Sequence, residues 1–286
     1  MASKHRSNYT TKDTTLTAQY ETIQYQVTDP VAVITLNRPE RLNAWMPTMA
    51  HEFREAMLGA EADKNVVGVV VTGSGRAFCA GGDLKALRMD DLRHMTADAD
   101  EALTTSDDPA GPFDYMLNLR KPVIAAINGP ALGMGAVLSL WADLRFMADD
   151  AFISMSFSQR GTVAEGASSW LLPRLIGTAP ALDLLLSSRR VAADEALRLG
   201  LVNVTVPAGD LLETAAAYVR DLSKNCSPTS LAIIKQQVYR DLHDSLGESS
   251  DSSRKLLGEA VEGDDIKEGW QAYLEKRPAV FARIGH

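Results

Sequence analysis

Residues 75–84 read Gly75-Arg76-Ala77-Phe78-Cys79-Ala80-Gly81-Gly82-Asp83-Leu84 (GRAFCAGGDL). Apolar residues give way to two adjacent glycines, then to an acid and a leucine, at a point where a strand is expected to pass into a helix. Such a junction leaves N–H groups without an intrahelical partner, and the helix dipole favours negative charge there. Glycine lets a ligand approach the main chain closely. The arrangement recurs in Asn128-Gly129-Pro130-Ala131-Leu132-Gly133-Met134-Gly135, ahead of an apolar helix expected over Ala136 to Trp141. Two N–H donors converging on one oxygen form an oxyanion hole, worth roughly 3 kcal/mol per donor to a developing enolate. Glycines serving only turns and tight packing are the alternative for either stretch alone.

Working outward, β-branched runs at Thr22 to Val27 and Val31 to Leu36, separated by Asp29-Pro30, predict a hairpin. Pro47 opens an amphipathic helix through about Ala62, with Met49, Phe53, Met57 and Leu58 at helical spacing. Val66 to Thr72 and Pro122 to Ile127 are buried strands that end in Gly73-Ser74-Gly75 and Asn128-Gly129-Pro130; Leu144 to Met147 and Phe152 to Met155 are shorter strands. Beyond Ala179 the pattern turns helical over Ala181 to Ser188, Ala193 to Leu199, Leu211 to Leu222, Pro228 to Leu242 and Ser250 to Tyr273, with one strand at Leu201 to Val206. The acidic, threonine-rich segment Asp90 to Pro112 is either a loop or short helix over a site, or a solvated insertion. The expected division is a flexible tail over 1–19, a sheet-bearing core over 20–205 and a helical region over 206–286.

Composition narrows the function. A formal charge of -8 lacks the basic footprint that nucleic acid demands. No apolar run reaches the roughly 18 residues of a membrane span, and Met1 to Tyr20 lacks the apolar core of a signal peptide, so a cytoplasmic protein is expected. Cys79 and Cys226 make neither a metal pair nor a disulfide framework, and no metal site is expected. His51-Glu52 is not completed into a zinc-protease helix, since Glu55 stands where the second histidine belongs. No G-x-S-x-G elbow occurs, and all five histidines fall outside the glycine-rich stretches. Carboxylates and backbone amides remain as the chemistry.

Leu36-Asn37-Arg38-Pro39, Asn43-Ala44, Phe78 to Leu84, Lys121 to Gly129 and Glu195 to Val202, in that order, resemble the crotonase (enoyl-CoA hydratase/isomerase) superfamily over nearly everything from Tyr20 onward. As a set these motifs are specific for the superfamily and poorly specific for the reaction. The resemblance implies an α/β fold, a spiral of β-β-α units, with a helical C-terminal region used in trimer assembly and hexamers built from two trimers. It implies an acyl-CoA thioester substrate in lipid metabolism, such as fatty-acid β-oxidation. Coenzyme A is part of that substrate, and no cofactor is tightly bound. By position, the carbonyl oxygen would sit between the N–H groups of Gly82 and Met134. Arg41, Leu42, Ala80, Gly81, Asp83, Leu84 and Gly133 would line the coenzyme A and thioester path, and Trp170 would shape the pocket. Lys276 and Arg277 would either meet coenzyme A phosphates or stand as solvated helix-end charges.

Family hydratases hold a water between two glutamates; here the matching positions read Val137 and Phe157. Glu165, in Gly161-Thr162-Val163-Ala164-Glu165-Gly166, stands where several family isomerases carry a single catalytic carboxylate. A lone carboxylate in an apolar pocket is a good proton shuttle near neutral pH. The resemblance therefore implies an isomerase or single-carboxylate hydratase with Glu165 as the only acid/base. Ordinary hydration aided by a polar group from the Asp90 to Pro112 loop is one alternative, and a non-catalytic acyl-CoA-binding subunit is another. For Glu165 itself the alternative role is a helix N-terminal carboxylate ahead of Ala167 to Leu175.

Overall fold

The computed structural model describes residues 16–18, 20–83 and 113–285. Leu84 and the Asp90 to Pro112 segment lie outside the described residues, as does most of the 1–19 tail. Leu16–Ala18 (β1), within that tail, pairs antiparallel with Ile23–Thr28 (β2). β2 turns through Asp29-Pro30 into Val31–Leu36 (β3), giving the expected hairpin. Pro47–Ala62 forms α1, and Gly68–Gly73 (β4) and Val123–Ile127 (β5) follow. After Ala131–Leu132 (β6) and the helix Met134–Trp141 (α2) come Leu144–Ala148 (β7) and Phe152–Ser154 (β8). Helices Ser168–Ile176 (α3) and Thr178–Ser187 (α4), strand Val191–Ala192 (β9), helix Ala193–Leu199 (α5) and strand Val204–Val206 (β10) continue the chain. It finishes with Leu211–Asn225 (α6), Pro228–Asp241 (α7), Leu246–Glu262 (α8) and Asp264–Glu275 (α9).

The large sheet runs β1-β2-β3-β4-β5-β7-β10, parallel from β3 onward, and β6-β8-β9 form a second, small sheet. Every residue of β4 and β5 is buried. That explains their unbroken apolar sequence, because central parallel strands are covered on both faces. One cover is α6, whose Val219 packs against Gly68. Another is α1, whose inner face carries Met49, Phe53 and Met57 together with Glu52.

Several elements differ from the sequence reading, each for a local reason. Leu58 is exposed, while Glu52 is buried on the inner face of α1. The Glu52 carboxylate accepts hydrogen bonds from the backbone N–H groups of Glu21 and Thr22 and from the Thr22 hydroxyl, so it is satisfied by the segment that leads into β2. The single helix expected over Ser250 to Tyr273 is two, because Gly263 takes extended backbone and ends α8. Only Val204–Val206 of the expected Leu201 to Val206 strand pairs, alongside β7. The boundary drawn between 205 and 206 therefore falls inside β10, and α6 beyond it lies on the sheet. Among the described residues, no helix is long and apolar enough to cross a membrane.

α2 begins at Met134, two residues before the sequence pattern predicts, and is held at both ends. Its C-terminal carbonyls, orphaned by helix geometry, are taken by the buried Arg145 guanidinium, which donates to Ala142 O at 2.7 Å and to Ser139 O at 3.4 Å, while Nε reaches Leu201 O. At the other end a Cβ on Gly135 would lie 2.2 Å from the Cys79 carbonyl oxygen, so only glycine permits this approach. Gly135→Ala should cost about 2 kcal/mol or more, as overpacked cores do when backbone must move. Urea unfolding at neutral pH measures it, and a stability equal to the wild type would show that the two loops are not so closely packed.

Candidate functional site

Side-chain amides build the two glycine-bearing loops. Asn43, fully buried, donates to Ser74 O and Ala77 O at 2.9 and 2.8 Å and accepts from Arg38 N. Asn128, at the end of β5, accepts from Gly73 N at 3.0 Å and donates to Gly75 O. The chain after β4 is thus clamped from both sides before it reaches Cys79. There it pairs with the second loop: Cys79 N donates to Pro130 O, and Leu132 N donates to Cys79 O at 2.9 Å. From the next residue it pairs with the first loop instead: Ala80 N donates to Leu42 O at 3.0 Å, Trp45 N to Gly81 O at 2.8 Å and Asp83 N to Trp45 O at 2.9 Å. Within this stretch Gly81 has a φ of 97°, open to glycine and strained for other residues.

A trans peptide points its N–H opposite to its C=O. Since the Gly81 carbonyl is committed to Trp45, the Gly82 N–H is turned away from Trp45 and finds no acceptor among the described residues. Met134 N lies at the first position of α2 and likewise has no acceptor there, whereas the preceding Gly133 N–H is spent on Ser154 O. The loops touch: a Cβ on Gly81 would stand 3.1 Å from Leu132 O and 3.9 Å from Met134 N. Two unspent backbone donors on adjoining loops are the arrangement an oxyanion requires.

Arg41, Leu42, Ala80, Gly82 and Asp83 line one cleft of about 550 Å³, with Arg76 at its rim. Gly81 and Gly133 are not among the residues that line it, although Gly81 adjoins two that do, Ala80 and Gly82. Asp83 is buried and paired with Arg38 at 2.9 Å; Arg38 also donates to Ala44 O, so this acid braces the loop rather than serving as a base. Arg277 is bound bidentately to Glu268 and also to Glu275, which accounts for it as a helix-end charge.

Val137 and Phe157 are 0% and 5% exposed, so neither hydratase-type position offers a proton carrier. Glu165 is half-buried, and its Oε1 accepts from the Thr162 hydroxyl at 2.7 Å. No side chain caps the N-terminus of α3, which sets aside the helix-cap role for Glu165. The next residue fixes its place. A Cβ on Gly166 would lie 2.6 Å from Val137 Cγ1, and Trp141 Nε1 donates to Gly166 O at 3.0 Å. The Glu165-Gly166 backbone is therefore laid along α2, one turn from Met134. Trp170 is half-buried and lines a different cleft, described below. The sequence reading did not find Asn43, Asn128, Trp45 and Trp141; their signal was present only as motif letters, since a buried amide's partners come from remote chain segments.

Cys79 is buried among these loops, and burial pushes its thiol from 9.0 up to about 12. It is a core residue, not a nucleophile. Because the folded protein keeps this proton longer than the unfolded chain, stability from Cys79 is complete below pH 9 and is lost between pH 9 and about 12. Lys121, whose pKa is lowered to about 8 by burial, works in the opposite sense over pH 8 to 10.5, and is common to both proteins compared. Cys79→Ala should thus lose about 1 kcal/mol less than the wild type between pH 9 and 10. Urea titrations at the two pH values check this; parallel losses would contradict the buried thiol.

The profile described as enoyl-CoA hydratase/isomerase matches residues 26–283. A probable enoyl-CoA hydratase from Rhodobacter capsulatus is 36% identical over 92% of this chain and 98% of its own length. The 1,2-epoxyphenylacetyl-CoA isomerase of Escherichia coli is 34% identical over 91% and 98%. Among solved structures, an enoyl-CoA hydratase subunit from Geobacillus kaustophilus superimposes with a TM-score of 0.84 at 31% identity, covering 92% of this chain and 99% of that one.

Proposed function

The chain belongs to the enoyl-CoA hydratase/isomerase family, and on that premise we propose that it receives the carbonyl oxygen of an acyl-CoA thioester between Gly82 N–H and Met134 N–H, with Glu165 as the only acid/base. The observation that supports this reading is the contact of Gly166, the residue after Glu165, with Val137 and the Trp141 indole, on the helix whose first residue is Met134. The two amides stabilise the negative oxygen that forms when a proton leaves the α-carbon. One carboxylate then suffices to take that proton and return it two carbons away, which shifts a double bond with no net gain or loss of atoms. The Thr162 hydroxyl holds the Glu165 carboxylate in one orientation, as proton transfer at a fixed site requires. The cleft at Arg41, Leu42 and Ala80 supports entry of the coenzyme A portion from that side. Exposed apolar side chains on α8 and α9, including Leu257, Trp270, Tyr273 and Leu274, support assembly into trimers or larger oligomers.

Glu165→Gln should bind acyl-CoA as before and lower kcat by roughly a hundred- to ten-thousand-fold, the usual contribution of a positioned proton carrier. Undiminished turnover would remove Glu165 from the chemistry. Incubation of crotonyl-CoA in heavy-oxygen water separates the two reactions, since hydration alone installs label on the third acyl carbon. Buried Val137 and Phe157 are what a non-catalytic acyl-CoA-binding subunit would also display; tight binding with no turnover of any thioester by the wild type would establish that reading instead.

A further inference from the structure

A second cleft, of about 650 Å³, opens at the C-terminal end of α2. Its position relative to the donors follows from helix geometry. Met134, Val137 and Trp141 occupy one stripe of α2; the first offers its N–H, the second touches Gly166, and the third lines the cleft. Seven residues at about 1.5 Å each put this cleft about 10 Å along α2 from the donor end. Ala167 and Trp170, which follow Glu165 in sequence, form its adjoining wall. The chain that carries Glu165 thus adjoins this cleft.

Three aromatic rings define the walls, and each is fixed. Trp141 is held by its bond to Gly166 O. Tyr239 donates to Asp143 at 2.8 Å, and Asp143 is paired at 2.8 Å with the buried Lys235. Trp170 carries the Arg174 guanidinium 4.0 Å from its centroid and a parallel His243 ring at 5.3 Å. Rigid aromatic walls favour a flat, rigid guest through offset and edge contacts, whereas a flexible chain gives up rotational freedom to lie there. α7 supplies polar groups: Gln236 and Arg240, one turn apart, both line the cleft. The Gln236 amide has no partner among the described residues. Arg240 is flanked by Asp241 and Asp244, each at 3.4 Å, and Asp114 lies in the cleft wall. These carboxylates cancel the positive charge, leaving hydrogen-bonding capacity without attraction for an anion.

We infer that this cleft receives the acyl group, and that it selects a ring-bearing acyl-CoA with a neutral oxygen substituent, a hydroxyl or carbonyl, remote from the thioester. The inference rests on the thioester reading above. Its test is binding rather than turnover: calorimetric dissociation constants of the wild type for free coenzyme A, octanoyl-CoA, para-hydroxyphenylpropanoyl-CoA and para-carboxyphenylpropanoyl-CoA, all saturated and so neither hydrated nor isomerised. The hydroxyphenyl ester should bind about tenfold more tightly than octanoyl-CoA. The exposed substitution Gln236→Leu should weaken the hydroxyphenyl ester about fivefold, and Trp170→Ala should weaken it further, while both leave free coenzyme A unchanged. Octanoyl-CoA binding as tightly as the ring ester, a carboxyphenyl ester binding more tightly than the hydroxyphenyl one, or a Gln236→Leu protein with unaltered constants would overturn the assignment. Failure of coenzyme A itself to bind would instead overturn the thioester reading, and this inference with it.

Discussion

One hydrogen bond organises the site: Trp45 N to Gly81 O, at 2.8 Å. It commits the carbonyl of the Gly81–Gly82 peptide to one side and so commits the N–H to the other. Everything upstream serves that commitment. Asn43 and Asn128 clamp the chain leaving β4, Cys79 ties it to the second loop, and Ala80 with Gly81, the latter at positive φ, tie it to the first. Arg38 then closes on Asp83 and fixes the far side. The second donor is fixed differently, by a helix whose C-terminal carbonyls are held by Arg145 and whose first turn rests on Cys79. Donors held in place in this way need no reorganisation when charge develops on a bound oxygen, which is the advantage the proposed reading draws on.

The absence of both hydratase-type glutamates has a structural counterpart. Val137 is not a vacant position but a packing partner for Gly166. An apolar side chain there lets the Gly166 backbone approach α2. In the proposed reading, a proton carrier on the helix is replaced by one on the facing loop, which changes how many carboxylates the site has. The same contact continues through Trp141 into the second cleft, so the Met134 end of α2 and that cleft are joined along one face of the helix.

The sequence made the hairpin, α1, β4 and β5 legible, because their burial imposes periods of two, of 3.6, or an unbroken apolar run. It also displayed the loops that carry Gly82 and Met134, since glycines at strand ends mark close backbone approach. The burial of Glu52 was not legible because a carboxylate can be satisfied by backbone N–H groups from a remote segment, which no local pattern reveals. The break at Gly263 was hidden inside a continuous amphipathic pattern that two successive helices both satisfy. The pairing of Gly166 with Val137 joins positions far apart in sequence and left no periodic trace.

The account's central claim is that two main-chain donors converge on a thioester oxygen. Difference infrared spectroscopy of a bound saturated acyl-CoA, carbon-13 labelled at its carbonyl, reads that contact directly. Two hydrogen bonds polarise the carbonyl and lower its stretching frequency relative to the same ester in water. A bound ester whose carbonyl band stays at its solution frequency would contradict the claim.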